Sequence, residues 1–348
     1  GNDVNPDTIP LDDQDVYALF RHGETDGVFQ FESDGMKGIL MQMLPERIED
    51  LIAANAMYRP GPMELIPSYC ARKNGGEAVP SVHELVDELL AETYGIMCYQ
   101  EQVMQVLNRL GKLPLSRALT LIKAISKKKE KTIASEKPNF LEGAKDNGIS
   151  QDEAEELFDL ILKFAGYGFN KAHSTQYAII AYQTAYFKVH YPREFMAALL
   201  TFESGDTTKV TQYMAEAVRM KIPIAPPDIN TCASDFTVDG DQVRFGLSAV
   251  KGVGEKAVEA ILVTRREEGA FTDLFNFCEY VDLHAVNRAT IDALIKCGAF
   301  DALGAHRAAM TAALDGAVTS GASAAADRKS GQMNMFGEAM GHEAPEVS

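Results

Sequence analysis

The run Phe164-Ala165-Gly166-Tyr167-Gly168-Phe169-Asn170-Lys171-Ala172-His173-Ser174 gathers residue types that can hold an anion. Gly166 and Gly168 let backbone approach a ligand closely. Asn170, Lys171, His173 and Ser174 supply hydrogen-bond donors and a cation suited to phosphate oxygens. An apolar helical pattern follows at once, and the start of a helix adds free amides and the positive end of its dipole. The same letters also suit a plain helix cap, with a short polar side chain closing the first turn.

Three further groups carry possible chemistry. Lys123, Lys127, Lys128, Lys129, Lys131 and Lys137 crowd one segment in which only Glu130 and Glu136 oppose them. Such a run is either a solvated face or a local field for an anion. Arg59 precedes Pro60-Gly61-Pro62, a rigid turn that biases the arginine backbone to an extended form. Lys251-Gly252-Val253-Gly254, followed by Lys256, has the glycines of a tight turn ahead of a helix. The amides at such a helix start can hold a phosphate, and a structural αα-hairpin would use the same letters. Tyr99-Gln100-Glu101-Gln102 reads as a helix opening, because Gln and Glu suit a first turn on their own account.

These groups need elements to position them. Apolar residues at i, i+3, i+4 spacing predict helices over 82–91, 100–110, 151–164, 175–190 and 193–203. Pro192 and Pro223 mark breaks. The character changes at Pro226-Pro227-Asp228. Phe236-Thr237-Val238 and Gln242-Val243-Arg244-Phe245 flank Asp239-Gly240, which predicts a β-hairpin with a tight turn. Short helices are expected near 274–277 and 289–295, with 257–262 helical after the Lys251 turn. From Ala312 the chain is rich in Ala, Gly and Ser, so 316–330 reads as a flexible linker and 338–348 as disordered. The expected fold is mainly α, with a domain boundary near Asn230.

Composition narrows the function. At 348 residues and 46% hydrophobic content the chain can bury a core in more than one domain. A formal net charge of −17 argues against a generic nucleic-acid binder, so any DNA contact must rest on local patches. The five cysteines form no CxxC pair, which suits a reduced, cytoplasmic protein without a zinc site. The acidic start carries no secretory h-region, and no apolar run is long enough to span a bilayer, so no membrane partner is expected.

Taken together, several motifs resemble one family, the alpha (catalytic) subunit of bacterial DNA polymerase III. Gly27-Val28-Phe29-Gln30-Phe31-Glu32-Ser33, Tyr58-Arg59-Pro60-Gly61-Pro62, Thr93-Tyr94-Gly95-Ile96 with Tyr99-Gln100-Glu101-Gln102-Val103-Met104, and residues 164–174 resemble its fingers region. Pro226-Pro227-Asp228-Ile229-Asn230 and Lys251-Gly252-Val253-Gly254 resemble the region C-terminal to those fingers, and Gln332-Met333-Asn334-Met335-Phe336 resembles its sliding-clamp tag. They occur in one order along nearly the whole chain.

The resemblance implies a fingers domain over 1–229, a β-hairpin and helix-hairpin-helix module over 230–311, and a linker with a clamp-binding motif over 312–348. It implies template-directed DNA synthesis, with a deoxynucleoside triphosphate (dNTP), primer-template DNA, the sliding clamp and other polymerase III holoenzyme subunits as partners. Arg59, Lys123, Lys127, Lys128, Lys129, Asn170, Lys171, His173 and Ser174 would face phosphates. Lys251, Gly252, Val253, Gly254 and Lys256 would hold DNA, and Gln332, Met335 and Phe336 would anchor the clamp. The cations are expected to converge on one triphosphate-sized cavity. The chain departs from the family where a pair of arginines is replaced by Ile122 and Lys123, and Lys offers a point charge where Arg offers a bidentate fork.

The family's metal-binding aspartates, a PDxDxDF-like motif and a later single Asp, do not occur in this sequence. Mg²⁺ would therefore be bound by a palm outside this chain, no catalytic or metal residue is expected within it, and the chain reads as an inactive fragment of the whole enzyme. The alternative is a stand-alone, non-catalytic adaptor that tethers DNA and the clamp. An unrelated nucleotide-binding enzyme would need a P-loop or a strand-borne GxGxxG, and neither occurs.

Overall fold

A computed structural model describes residues 4–330. The clamp-type segment with Gln332, Met335 and Phe336, and the tail over 338–348, lie outside the described residues. The chain divides into two compact units, Gly1–His190 and Tyr191–Ser348. The division falls at the end of a long helix, whereas the change of sequence character falls near Asn230.

The first unit is helical: α1 (Gln14–Arg21), α2 (Asp34–Met43), α3 (Ile48–Met57), α4 (Ile66–Lys73), α5 (Glu84–Leu90), α6 (Gln100–Arg109), α7 (Leu115–Ser126), α8 (Glu130–Asp146), α9 (Gln151–Ala165) and α10 (Lys171–His190). Local chemistry sets many of the boundaries. The Asp13 and Ser33 side chains accept from first-turn amides of α1 and α2, and Ser150 with Glu153 forms a reciprocal capping box on α9.

Two cores result. One gathers Phe20, Phe31, Leu40, Tyr69, Tyr99 and Tyr182 from α1 to α4, the 96–99 segment and α10. The other gathers Val103, Leu107, Phe140, Phe158 and Ile161 from α5 to α9. A single β-bridge ties the start of α6 to the segment before α10: Gln100 N–H donates to Phe169 O at 2.8 Å, and Phe169 N–H to Cys98 O at 3.0 Å. Lys188, almost wholly buried, donates to the Glu24 and Asp26 carbonyls and fixes that loop on α10.

The second unit contains α11 (Pro192–Phe202), α12 (Thr207–Arg219), β1 (Ile224–Ala225), β2 (Thr237–Asp239), β3 (Gln242–Arg244), α13 (Glu255–Glu268), α14 (Leu274–Tyr280), α15 (Arg288–Cys297) and α16 (Arg307–Ser330). Pro192 opens α11 at its first position, where a missing N–H costs nothing. The expected hairpin is present, with Val238 opposite Val243 in antiparallel register. The two-residue strand β1 joins β3 in parallel, giving the order β1-β3-β2. Ile229, Leu247, Ile261, Phe277, Phe300 and Leu314 form the larger core of this unit.

One expectation is corrected here. The Ala-, Gly- and Ser-rich segment 316–330, read as a flexible linker, lies within α16. Alanine is the best helix former, and small side chains let the helix sit close to α14. A Cβ on Gly321 would stand 2.2 Å from Cys278 O. Ala317 and Gly321 are buried, so one face of the segment packs on the core while the other faces solvent.

Candidate nucleotide and DNA interface

The first-unit site is built where three elements meet: the turn after α3, the β-bridge at Phe169, and the first turn of α10. Asn170 is the cap of α10. Its Oδ1 accepts the His173 N–H at 2.8 Å, and its carbonyl accepts the Ser174 N–H at 3.1 Å. The capping reading of this residue therefore holds, and it leaves Lys171 and His173 on the first turn.

Lys171 stands where the helix dipole disfavours a cation. Two acids from elsewhere in the chain offset it. Glu92 Oε2 accepts from Lys171 Nζ at 2.8 Å. Glu101 spans the helix start, its Oε2 accepting the Lys171 N–H at 2.9 Å and its Oε1 accepting Asn170 Nδ2 at 3.0 Å. The Lys171 ammonium also lies 5.4 Å from the centre of the buried Tyr99 ring. Glu92 Oε1 is buried with no hydrogen-bond partner.

Arg59 is held differently. Its Nε donates to Ala56 O at 2.9 Å, its Nη2 donates to Tyr167 O, and its guanidinium lies 4.7 Å from the Phe169 ring centre. Among the described residues no carboxylate pairs with it, and burial pulls its pKa below the usual arginine value. Tyr167 and the Arg59 turn support each other. Gly61 adopts φ +98°, and a Cβ there would meet the Tyr167 ring at 2.6 Å. A side chain at this position is strained by the backbone and crowded by the ring.

His173 is exposed, and its ring lies between Phe169 and Tyr177 with centroids 5.5 and 4.3 Å away. Ser174 corrects an expectation. It is fully buried, its hydroxyl donates to Ile52 O at 2.7 Å and accepts from Asn55 Nδ2 at 3.3 Å. It joins α10 to α3 and faces no ligand surface. Cys98, also beside the bridge, is buried, and burial pushes its thiol up to about 12.

Lys123, Lys127, Lys128 and Lys129 form a second group, at the C-terminal end of α7 on the other core. All four are exposed, and among the described residues none makes an ion pair. They stand on α7 and the turn after it, whereas Arg59 follows α3 and Lys171 opens α10. The turn that carries them is a Schellman-type stop. Lys129 N–H donates to Ala124 O at 2.8 Å and Lys128 N–H to Ile125 O at 3.0 Å, with Lys128 left-handed at φ +53°. Ile122, where the family's first arginine would stand, is buried. Lys123, next to it, is exposed.

In the second unit, Gly252 takes φ +90° and turns the chain into α13, a conformation that favours glycine. No side chain caps α13, and a Cβ on Gly254 would meet nothing within 4 Å. The Glu255 and Lys256 amides make no backbone hydrogen bond among the described residues, while Ala257 N–H donates to Gly254 O at 2.9 Å, and Lys251 and Lys256 are exposed at this turn. Val253 is 7% exposed and belongs to the core, so it anchors the turn rather than touching a ligand.

The sequence reading missed Glu92, Tyr167 and Tyr177 as parts of the first-unit site, and it gave Glu101 only a helix-opening role. Glu92 and Glu101 reach Lys171 across 79 and 70 residues, and no local pattern signals such a pairing. The neighbouring Gln102 does serve the helix start, its Oε1 accepting the Cys98 and Tyr99 amides. Among the described residues no group of three His, Cys, Asp or Glu side chains could hold a metal ion. No helix among them is long and apolar enough to cross a membrane.

Residues 1–148 match the family described as the bacterial DNA polymerase III alpha subunit finger domain, and residues 221–310 match a helix-hairpin-helix motif. DNA polymerase III subunit alpha of Pasteurella multocida is 44% identical over 95% of this chain, which spans 29% of that relative. The Thermus aquaticus protein of the same name is 42% identical over 97% of this chain and 28% of its own length. The Escherichia coli protein is 43% identical over 94% of this chain and 29% of its own length. The chain thus spans less than a third of the curated relatives it matches. It belongs to the family of bacterial DNA polymerase III alpha subunits, over the portion that carries the finger domain and the helix-hairpin-helix motif.

Proposed function

We propose that this chain is the part of a replicative DNA-directed DNA polymerase that receives the incoming dNTP and grips the primer-template. One observation carries the reading. Lys171 sits against the dipole at the start of α10, beside an arginine with no carboxylate partner among the described residues. Both side chains also make contacts within the fold, and an anionic ligand would draw on the two charges together.

In this reading Arg59 and Lys171 neutralise triphosphate oxygens, and His173 stands exposed between its aromatic neighbours. The primer 3′-hydroxyl attacks the dNTP and displaces pyrophosphate. Fixed cations lower the cost of the charge that develops during that transfer. Asn170 holds the first turn of α10 and so keeps Lys171 in place. The unpaired lysines Lys123, Lys127, Lys128 and Lys129 serve the triphosphate tail or the DNA backbone, which an overall acidic chain must bind through local patches. The family implies Mg²⁺. The described residues hold no group of three His, Cys, Asp or Glu side chains fit for it, and in this reading carboxylates of a palm would bind it.

Lys251, Gly252, Gly254 and Lys256 would hold a DNA phosphate at the α13 start, independent of base sequence. Gln332, Met335 and Phe336 would dock on the sliding clamp, and the remaining holoenzyme subunits would assemble around the cytoplasmic enzyme. The test is calorimetric titration of a dNTP into the wild-type chain and into Lys171→Ala. Binding that weakens on substitution supports the reading, and equal binding by both proteins refutes it.

A further inference from the structure

We propose that Glu92 and Glu101 are specificity-determining residues of the phosphate site, holding two places that only a polyphosphate can claim together. The inference rests on the nucleotide reading and concerns which anions the site admits. Glu101 covers the helix start with both oxygens, one on the Lys171 amide and one on Asn170 Nδ2. Glu92 takes the other end of the same residue, the ammonium at 2.8 Å. Between them the two carboxylates fill the donors that a phosphate would use.

An arriving anion must therefore displace a carboxylate, and any carboxylate that stays repels it. A single phosphate can replace one acid and then faces the other at short range, where like charges disfavour each other. A triphosphate brings enough charge and enough oxygens to replace both at once. The resting arrangement is also incomplete, because Glu92 Oε1 is buried without a partner. A buried acceptor left unsatisfied raises the energy of the closed state and eases its opening. Both acids come from outside α10, Glu92 from the short turn Ala91–Thr93 and Glu101 from the first turn of α6. Side-chain rotation is enough to release them, with the helix start left intact.

The test compares inorganic tripolyphosphate with inorganic phosphate, titrated calorimetrically into the full chain and into Glu92→Gln, Glu101→Gln and the pair. Glutamine keeps the shape of each side chain and removes its charge, and the two single variants are independent arms should one fold poorly. The wild-type chain should prefer tripolyphosphate. Each variant should bind inorganic phosphate about 5-fold tighter or more, the low end of typical coupling between sites, and so narrow the preference. Adding Lys171→Ala to Glu92→Gln should erase the gain. An unchanged preference in both Gln variants, with wild-type binding still dependent on Lys171, overturns this inference and leaves the nucleotide reading standing. Binding that never depends on Lys171 in any variant overturns both.

Discussion

Replacing Gly61 with alanine should damage the site through a single turn. Gly61 lies at φ +98° and ψ −77°, outside the regions an alanine adopts freely. Backbone strain of that kind costs about 1–3 kcal/mol. The new Cβ would also sit 2.6 Å from the Tyr167 ring. Overpacking costs about 1–3 kcal/mol, and Tyr167 is exposed enough to swing aside and keep this near the low end. The sum is about 2–4 kcal/mol, and for a unit of this size each kcal/mol lowers Tm by roughly 2–4 °C. Thermal unfolding followed by circular dichroism should therefore show a fall of roughly 4–16 °C for the first unit. Tyr167→Ala removes the ring and keeps the carbonyl that Arg59 uses. In that background Gly61→Ala should cost only the backbone part, about 1–3 kcal/mol. An equal cost in both backgrounds would refute the ring contact, and no loss in either would refute the strained turn itself.

Three other outcomes are expected from the same geometry. Ser174→Ala should destabilise the first unit by about 1–3 kcal/mol, because it strands buried hydrogen-bonding groups, while leaving dNTP affinity of the folded protein unchanged; a selective loss of affinity would restore a ligand role to that hydroxyl. Replacing Lys127, Lys128 and Lys129 together with glutamine should lower the salt dependence of DNA binding, by roughly 1 in the log–log slope for each phosphate no longer neutralised, and an unchanged slope would make the run a solvated face only. Asp13, whose carboxylate is partly desolvated but held by His190 and the amides of Val16 and Asp15, has its pKa lowered from the ordinary aspartate value. A depressed pKa gives stability that is present above the unfolded value of about 4 and is lost as pH falls through the folded value. Acid unfolding of Asp13→Asn should accordingly be less steep below about pH 4 than that of the wild-type chain, and identical profiles would remove this contribution.

Much of the helical framework was legible because its periodicity and caps are local. Pro192 at the start of α11 and Asp239-Gly240 between two strands each declare a boundary within a few residues. What escaped depends on distant partners. The parallel pairing of Ile224 with Val243, and the bridge of Tyr99 with Phe169, join segments with no mutual signal in sequence. Helix α16 was hidden because small residues serve a close helix contact as well as they serve a linker. In the site, Lys171 and Arg59 were visible as cations, but their opposite states were not. One is held by two acids, and the other has none among the described residues. Ser174 looked like a donor for phosphate and is a buried link between α3 and α10.

In the proposed function, nucleotide reception depends most directly on Lys171. Primer extension by a complete alpha subunit, with the equivalent of Lys171→Ala, measures its part in nucleotide use. A charge-assisted hydrogen bond contributes roughly 1.5–3 kcal/mol, so the apparent KM for dNTP should rise about 10-fold or more. Lys171→Arg should recover part of that loss by keeping the charge. An unchanged KM in Lys171→Ala would contradict the claim that this cation receives the triphosphate.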